Sequence, residues 1–139
     1  MKNTEDLLKE LSQADNINDF LKDNEDSFAD VTLSEYLTGL LEEKGLTKAD
    51  VIKRSELSDI YAYQIFSGVK KPTRDKVLCI AFGMGLSVAE TQQLLKSCGL
   101  PFLYAKHKRD SIILFAIGKN LSVIEANELL YNSDEATLG

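Results

Sequence analysis

Apolar residues recur along most of this chain at steps of three and four, the spacing that places side chains on one face of an α-helix. The stripe formed by Leu33, Tyr36, Leu37, Leu40 and Leu41 follows steps of 3, 1, 3 and 1. Every other periodic segment has the same helical spacing rather than the alternation of a half-buried strand. Only 2 prolines and 8 glycines interrupt these patterns. The sequence therefore predicts an all-α protein.

Residues that favour helix ends divide the central part of the chain into five helices. Gly45 ends the first, because glycine readily adopts the left-handed conformation of a helix C-terminus. Hydroxyl side chains that can accept a hydrogen bond from a first-turn N–H begin the next four: Thr47, Ser58, Thr73 and Ser87. The second and third helices are expected at about 47–55 and 58–67.

The third part of the chain repeats part of the second. Residues 74–95 read RDKVLCIAFGMGLSVAETQQLL and residues 109–130 read RDSIILFAIGKNLSVIEANELL, with 10 of 22 positions identical at an offset of 35. Ser122 stands where Ser87 begins the fifth helix, so the repeat predicts a second helix pair. Its apolar residues are expected to form one face, which either extends the core or forms a dimerisation face. That face comprises Ile112, Ile113, Ala116, Val123, Leu129 and Leu130.

An acidic segment precedes the five helices, and its apolar residues predict two short helices. The first carries Leu7, Leu8 and Leu11, and the second carries Ile17, Phe20 and Leu21. The 139 residues are therefore divided into three parts. These are an acidic helical N-terminal extension (1–32), a five-helix domain (33–100) and a C-terminal helical hairpin (101–139).

The net charge of −6 is distributed unevenly along the chain. Residues 1–43 hold 3 basic and 12 acidic side chains, residues 44–76 hold 8 and 4, and residues 77–139 hold 5 and 6. A basic block between acidic ones is what a local phosphate-contacting surface requires, because salt limits the reach of each charge to about 8–10 Å. The block is also compatible with an ordinary solvated surface.

Two short helices and a tight turn within about 20 residues form an arrangement that lets the second helix enter a major groove while the first crosses the backbone. The residues at the key positions of this arrangement are Leu46-Thr47, Val51, Ser55, Leu57-Ser58, Ala62, Ile65 and a glycine-basic-basic-proline ending from Gly68 to Pro72. In these positions the chain closely resembles the lambda-repressor-like, Xre-type helix-turn-helix family, without a gap from Leu33 to about Leu95. The resemblance implies a lambda-repressor-like five-helix DNA-binding domain.

The resemblance also implies roles for individual residues. Side chains on the second helix of the motif, the recognition helix, would face base edges: Asp59, Ile60 and Tyr63. Others would lie on the DNA backbone: Lys48, Ser58, Lys70, Lys71 and Arg74. The implied function is sequence-specific transcriptional regulation, with the chain bound to double-stranded DNA as a homodimer.

Two features depart from the family pattern. Glu56 stands where the family has a turn glycine, so either Glu56 adopts a positive φ or the turn differs. The predicted recognition helix, Ser58 to Ser67, contains one aspartate and no lysine or arginine. Exposed aromatic residues favour protein interfaces, and Tyr61-Ala62-Tyr63 could form one. The alternative hypothesis is therefore a non-enzymatic adaptor that binds a protein partner on the same scaffold.

The sequence predicts no catalytic residue, metal site or cofactor. His107 is the only histidine, and no spacing suggests a Cys or Ser partner. Cys79 and Cys98 lack metal-ligand spacing and fall in apolar patterns, so two buried reduced thiols are expected. The first residues are polar and acidic, unlike a signal peptide, and no apolar run approaches the ~20 residues of a membrane span. A cytoplasmic location without membrane partners is therefore expected.

Overall fold

The computed structural model describes residues 4–23 and 33–139, apart from the side chains of Thr4, Leu7 and Asp23. The rest of the predicted acidic extension, 1–3 and 24–32, lies outside the described residues. Over the described residues the chain forms nine helices and no strand, which confirms the all-α prediction. The helices are α1 (Thr4–Gln13), α2 (Ile17–Asp23), α3 (Leu33–Lys44), α4 (Lys48–Ser55), α5 (Asp59–Phe66), α6 (Arg74–Met84), α7 (Val88–Ser97), α8 (Lys108–Gly118) and α9 (Val123–Asn132).

Capping hydrogen bonds confirm the predicted starts of α4, α5 and α6. The Thr47 hydroxyl accepts from the Asp50 N–H at 3.2 Å and begins α4. Ser58 accepts from the Tyr61 N–H at 3.3 Å and begins α5, and Thr73 begins α6 in the same way. Each of these bonds satisfies a first-turn N–H group that has no partner within its helix.

α4 crosses α6 at close range because of Gly83. A Cβ atom at Gly83 would lie 2.6 Å from the backbone oxygen of Val51 and 3.2 Å from the backbone nitrogen of Ser55. Both of these α4 residues are fully buried. The missing side chain lets two helix backbones pack directly on each other, and this contact positions α4 and α5 on the rest of the fold.

The C-terminal helices repeat α6 and α7 in structure as well as in sequence. α7 and α9 coincide residue for residue at the offset of 35. Ser87 and Ser122 each form a capping box with the glutamate three residues later. Asn120 adopts the left-handed conformation of its counterpart Gly85, with φ of 57° and 67°. The predicted second helix pair is confirmed.

The structural repeat is longer than the sequence identities indicate. A segment without regular secondary structure follows each helix pair, and a side-chain amide holds it by two hydrogen bonds. Gln92 exchanges hydrogen bonds of 2.8 Å with the backbone of Leu103, and Asn127 exchanges bonds of 2.7 and 3.4 Å with the backbone of Leu138. Both leucines are buried. The repeat unit therefore spans 74–103 and 109–138.

One apolar core joins the elements from α3 to the end of the chain. On the apolar face expected for the C-terminal hairpin, four side chains are buried in this core: Ile113, Ala116, Val123 and Leu130. Ile112 and Leu129 are only partly buried at its edge. The hairpin therefore extends the core, as one of the two alternatives proposed, and leaves part of its apolar face accessible.

The N-terminal extension contains α1 and α2, the two short helices that its apolar residues predict. Phe20 is buried, but four other aliphatic side chains are exposed: Leu8, Leu11, Ile17 and Leu21. Across the described part of the chain, none of the helices combines the length and apolar character that a membrane crossing requires.

Candidate nucleic-acid interface

The turn between α4 and α5 is built by Ser55 and Glu56. The buried Ser55 hydroxyl donates to the carbonyl of Ile52 at 2.6 Å and accepts from the Leu57 N–H at 3.3 Å, so it ties the end of α4 to the turn. Glu56 has φ 60° and ψ 14°, in the left-handed region that glycine occupies without strain. Of the two alternatives for Glu56, the positive φ is the one found.

α5 presents the three predicted base-facing residues on one exposed face. Its inner side is buried through Ala62, Ile65 and Phe66. On the outer side Ile60 is 76% exposed, Tyr63 is 48% exposed, and Asp59 is exposed in the first turn. This face offers a carboxylate, a phenolic hydroxyl and an aliphatic surface to a ligand.

Two further side chains share the outer face of α5 and were not selected from the sequence. Gln64 lies four residues after Ile60, and Ser67 lies four residues after Tyr63, so both continue the same helical face. Ser67 is exposed and Gln64 is partly exposed. An amide can pair with an adenine edge through two hydrogen bonds, and a hydroxyl can bond to several bases. The spacing of four was the signal that identifies them.

Lys48 and Ser58 occupy the two helix starts, as predicted. Lys48 is the first residue of α4, and its ammonium group lies 5.7 Å from the centre of the Phe66 ring at the end of α5. The start of α4 is therefore close to the end of α5. The Ser58 hydroxyl oxygen caps α5, and its proton is not used in that bond.

Lys70 and Lys71 lie on an exposed turn directly after α5. Gly68, with φ 83°, allows the chain to leave the helix. The N–H groups of Val69 and Lys70 then donate to the Gln64 carbonyl at 2.9 and 3.1 Å. Both lysine side chains are exposed. These hydrogen bonds fix the backbone that carries the two cations next to the outer face of α5.

Arg74 is held by contacts within the chain. Its guanidinium forms a bidentate pair with Asp110 at 3.0 and 2.8 Å and donates to the carbonyls of Pro101 and Phe102 at 3.1 and 2.7 Å. Burial raises the pKa of Asp110, but hydrogen bonds from Arg74 and from the Tyr104 N–H outweigh burial and hold this pKa below its ordinary value. These bonds use four of the five N–H donors and hold the guanidinium against Asp110, so Arg74 is left out of the candidate interface.

A cation that was not singled out from the sequence lies beside α5. Lys76, in the first turn of α6, places its ammonium group 5.4 Å from the centre of the Tyr61 ring. Tyr61 is only partly exposed and Ala62 is fully buried, whereas Tyr63 faces outward. The sequence patch Tyr61-Ala62-Tyr63 is therefore not one surface, because successive helical residues point in different directions.

We use the name candidate interface for the outer face of α5 together with the lysines around it. Lys48, Lys70 and Lys71 lie near the C-terminal end of α5, and Lys76 lies near its first half. These positive charges border a helix surface that carries the negative charge of Asp59. The arrangement suits a ligand with a negatively charged border and a neutral, hydrogen-bonding interior.

Other reactive groups lie away from the candidate interface. His107 stands at the start of α8, with Nδ1 3.9 Å from Oδ2 of Asp110. Cys79 and Cys98 are free thiols, the first buried and the second half-buried. Burial raises the pKa of Cys79 to about 11 and also raises the pKa of Cys98. Among the described residues, no group of three or more side chains is arranged to hold a metal ion.

Comparisons of the chain with protein-family models, with curated proteins and with solved structures found no match. The Xre-type resemblance therefore rests on the motif residues of this chain alone.

Proposed function

We propose that this protein is a sequence-specific transcriptional regulator that binds double-stranded DNA as a homodimer, with α4 and α5 as its helix-turn-helix. The observation that supports it is the outer face of α5, where Asp59, Ile60 and Tyr63 are exposed together while the inner face is buried. A helix held in this way can enter a major groove without disturbing the core behind it.

The lysines of the candidate interface fit contacts to phosphate groups. Cations at the ends of an inserted helix position the protein on the duplex, whereas the inserted face carries the sequence information. Since α5 contains no lysine or arginine, electrostatic affinity comes from cations outside it, and Lys48, Lys70, Lys71 and Lys76 are those that border its outer face. Sequence preference then comes from the outer face of α5.

That face offers contacts to particular base edges. The Asp59 carboxylate can accept a hydrogen bond from the amino group of cytosine, and Ile60 can contact the methyl group of thymine. Gln64 adds an amide that is suited to adenine. Because a carboxylate is repelled by phosphates, Asp59 favours a bound geometry in which its side chain points at bases rather than at the backbone.

A homodimer fits this proposal because one short helix reads few base pairs. Two copies related by a two-fold axis would bind two half-sites about one helical turn apart, roughly 34–36 Å. The preferred DNA sequence would then be an inverted repeat.

Selection of binding sites from random duplexes tests the proposal. We expect the full chain to select a short inverted repeat. Tyr63→Ala should relax this preference more than it lowers affinity for arbitrary DNA. Asp59→Asn should raise affinity for arbitrary DNA and change the preferred base at one position, because an amide favours adenine where a carboxylate favours cytosine. Tyr131→Ala is the matched control, since Tyr131 is 75% exposed on α9 and lies outside the candidate interface.

Two results would count against the proposal. If no sequence is enriched and binding to mixed DNA does not weaken with salt, the candidate interface does not bind DNA, since phosphate contacts release counterions. A uniform rise in affinity for Asp59→Asn, with no change in preferred base, would show that Asp59 lies near the groove without reading it.

The second candidate function is a non-enzymatic adaptor that binds a protein. It is favoured by the apolar residues exposed in and just after α5, where Ile60 is 76% and Val69 is 71% exposed. Such residues are typical of protein interfaces. The adaptor hypothesis is supported if Ile60→Ser abolishes capture of a co-purifying protein while neither Tyr63→Ala nor Asp59→Asn changes DNA binding. That result would replace the regulator hypothesis.

A further inference from the structure

An apolar groove lies on the C-terminal repeat, between α8 and α9. It has a volume of about 270 Å³ and is lined by Ser111, Ile112, Phe115, Leu129 and Ser133. Phe115 is 54% exposed there, and Ile112 and Leu129 are partly exposed. An aromatic ring and two aliphatic side chains at one open surface are typical of a site that another element covers.

The first repeat shows what this face does when it is covered. The counterparts of the three apolar groove residues, 35 positions earlier, are Val77, Ile80 and Leu94, which are 1%, 1% and 0% exposed. These counterparts are covered within the core: α4 packs on α6, and Lys44 of α3 forms an ion pair with Glu90 of α7. The first copy of the repeat therefore has other helices packed on it, whereas the equivalent side chains of the second copy are more exposed.

Gly118 supports this interpretation. Its counterpart Gly83 is the position at which α4 crosses α6, where a Cβ atom would lie 2.6 Å from the backbone oxygen of Val51. At Gly118 a Cβ atom would have no neighbour within 4 Å. Gly118 therefore keeps, at the equivalent position, the small residue that allows the close approach at Gly83, and the space beside it is open.

The α1–α2 pair carries four exposed aliphatic side chains. Leu8 is 61% exposed, Leu11 43%, Ile17 55% and Leu21 43%. Short helices that keep an apolar face in water gain most of their stability from packing against another surface. The same chain therefore carries an open apolar groove and two short helices with exposed apolar side chains.

Charge favours the same pairing. Lys108, Ile112, Phe115 and Lys119 follow one another at steps of 4, 3 and 4 along one face of α8, so a lysine stands at each end of the apolar stripe. The Lys108 ammonium donates to the Ser133 carbonyl at the groove and lies 4.0 Å from the Glu135 carboxylate, whereas the Lys119 ammonium lies 5.8 Å from the centre of the Phe115 ring. Residues 4–23 hold 6 acidic and 2 basic side chains. An acidic helix pair is complementary to the positive charge of Lys119 at one end of this apolar stripe.

We propose that the groove between α8 and α9 binds the α1–α2 pair of a second copy of this chain. Neither surface covers the other within a single chain, because both are exposed, and we assign the contact to a pair of chains. Reciprocal exchange gives a closed two-fold dimer with two such contacts. This inference specifies the interface of the homodimer in the proposed function, and it does not depend on whether that dimer binds DNA.

Sedimentation equilibrium of the full chain tests the docking. Phe115→Glu in the groove and Leu8→Glu on α1 should each raise the dimer dissociation constant at least about tenfold, as removal of a central apolar contact does. Ile124→Glu should leave it unchanged, because Ile124 is 56% exposed, like Phe115, but does not line the groove. Each variant is exposed at the substituted position, and thermal unfolding confirms that it folds.

A mixing experiment identifies the occupant. The Phe115→Glu chain keeps its α1–α2 pair, and the Leu8→Glu chain keeps its groove, so an equimolar mixture should form heterodimers through the one intact contact. A dimer that persists in Leu8→Glu but not in Phe115→Glu would mean that the groove pairs with itself and would overturn the proposal. A monomeric wild type, or a mixture without heterodimers, would also overturn it. Loss of DNA binding by an intact dimer would contradict the proposed function alone.

Discussion

Arg74 and Arg109 stand 35 residues apart, and each binds the aspartate that follows the other in the sequence. The Arg74 guanidinium donates hydrogen bonds to both carboxylate oxygens of Asp110 at 3.0 and 2.8 Å. The Arg109 guanidinium donates to both carboxylate oxygens of Asp75 at 3.0 Å. This exchange joins the first turns of α6 and α8. The Arg-Asp dipeptide shared by the two repeats therefore links them by two ion pairs, in addition to their common apolar core.

The two ion pairs should differ in their contribution to stability. Both arginine side chains are 22% exposed, but Asp110 is 6% exposed and Asp75 is 31% exposed. Arg74→Ala leaves a buried carboxylate without its partner and should lower the free energy of unfolding by about 3 kcal/mol. Arg109→Ala should lower it by about 1 kcal/mol, because water reaches Asp75. Urea unfolding of both variants checks this, and equal losses would refute it.

The contribution of Asp110 should depend on pH. Because the folded state holds the pKa of Asp110 below its unfolded value of about 3.9, the stabilisation is fully present above that value and is lost as pH falls through the folded-state pKa. Wild type should therefore exceed Asp110→Asn in unfolding free energy by a constant amount from about pH 5 to 8. The difference should shrink below about pH 4. A difference that does not change with pH would mean that packing, not the ionised pair, stabilises this site.

Glu56→Gly should stabilise the protein. Glu56 has φ 60°, and the left-handed conformation costs a residue with a side chain about 1–2 kcal/mol. Glycine removes this cost but loses more freedom on folding, so we expect a net gain of about 0.5–1 kcal/mol in thermal or urea unfolding. Glu56→Ala is the control, since it removes the charge and keeps the strained φ. If Ala stabilises as much as Gly, the charge of Glu56 and not its backbone is responsible.

Gly83 and Gly118 should respond oppositely to alanine. At Gly83 the new methyl group meets the backbone of α4, so Gly83→Ala should destabilise the fold by about 1–3 kcal/mol. At Gly118 the methyl group meets no neighbour, so Gly118→Ala should leave the monomer unchanged or slightly more stable. Urea unfolding of both variants, at a protein concentration low enough to keep the chain monomeric, measures the two changes in unfolding free energy. A similar loss at both positions would show that glycine matters in these helices for a reason other than helix crossing.

DNA binding should depend on salt through Lys70 and Lys71 and not through Arg74. Lys70→Ala with Lys71→Ala should flatten the slope of log affinity against log salt by up to about 1.8, since each phosphate contact contributes about 0.9. Lys96→Ala is the control, because Lys96 is an exposed lysine on α7 and lies outside both the candidate interface and the groove. Arg74→Gln, measured where the variant is folded, should leave the slope unchanged. A flatter slope for Arg74→Gln would restore Arg74 to the interface.

Helix positions were predictable because they depend on nearby residues. Thr47, Ser58 and Thr73 each cap the helix expected after them, through a bond to an N–H group three residues later. The exposed side of α5 was expected from the family resemblance, and the helical period explains why Asp59 and Tyr63 share it. For Glu56 the sequence left two alternatives, a positive φ or a different turn. It could not choose between them, because a non-glycine residue adopts a positive φ only where the surrounding packing requires it.

The full extent of the repeat was harder to recognise. Gln92 and Asn127 perform the same task on Leu103 and Leu138, but the two amides are different letters in the sequence. Each side-chain amide donates to the carbonyl and accepts from the N–H of its leucine. This shared role is seen only in the structure, where each amide contacts the backbone of its leucine.

By itself the sequence determined the helical class and the helix ends, because these depend on residues within about four positions of each other. Only the tertiary structure decided the role of Arg74. In the sequence it is one more cation in a basic block, but its partner Asp110 lies 36 residues away. Whether an arginine meets a phosphate or a carboxylate of its own chain depends on how the two repeats pack, and a guanidinium that already holds a buried carboxylate loses that partner if it turns outward.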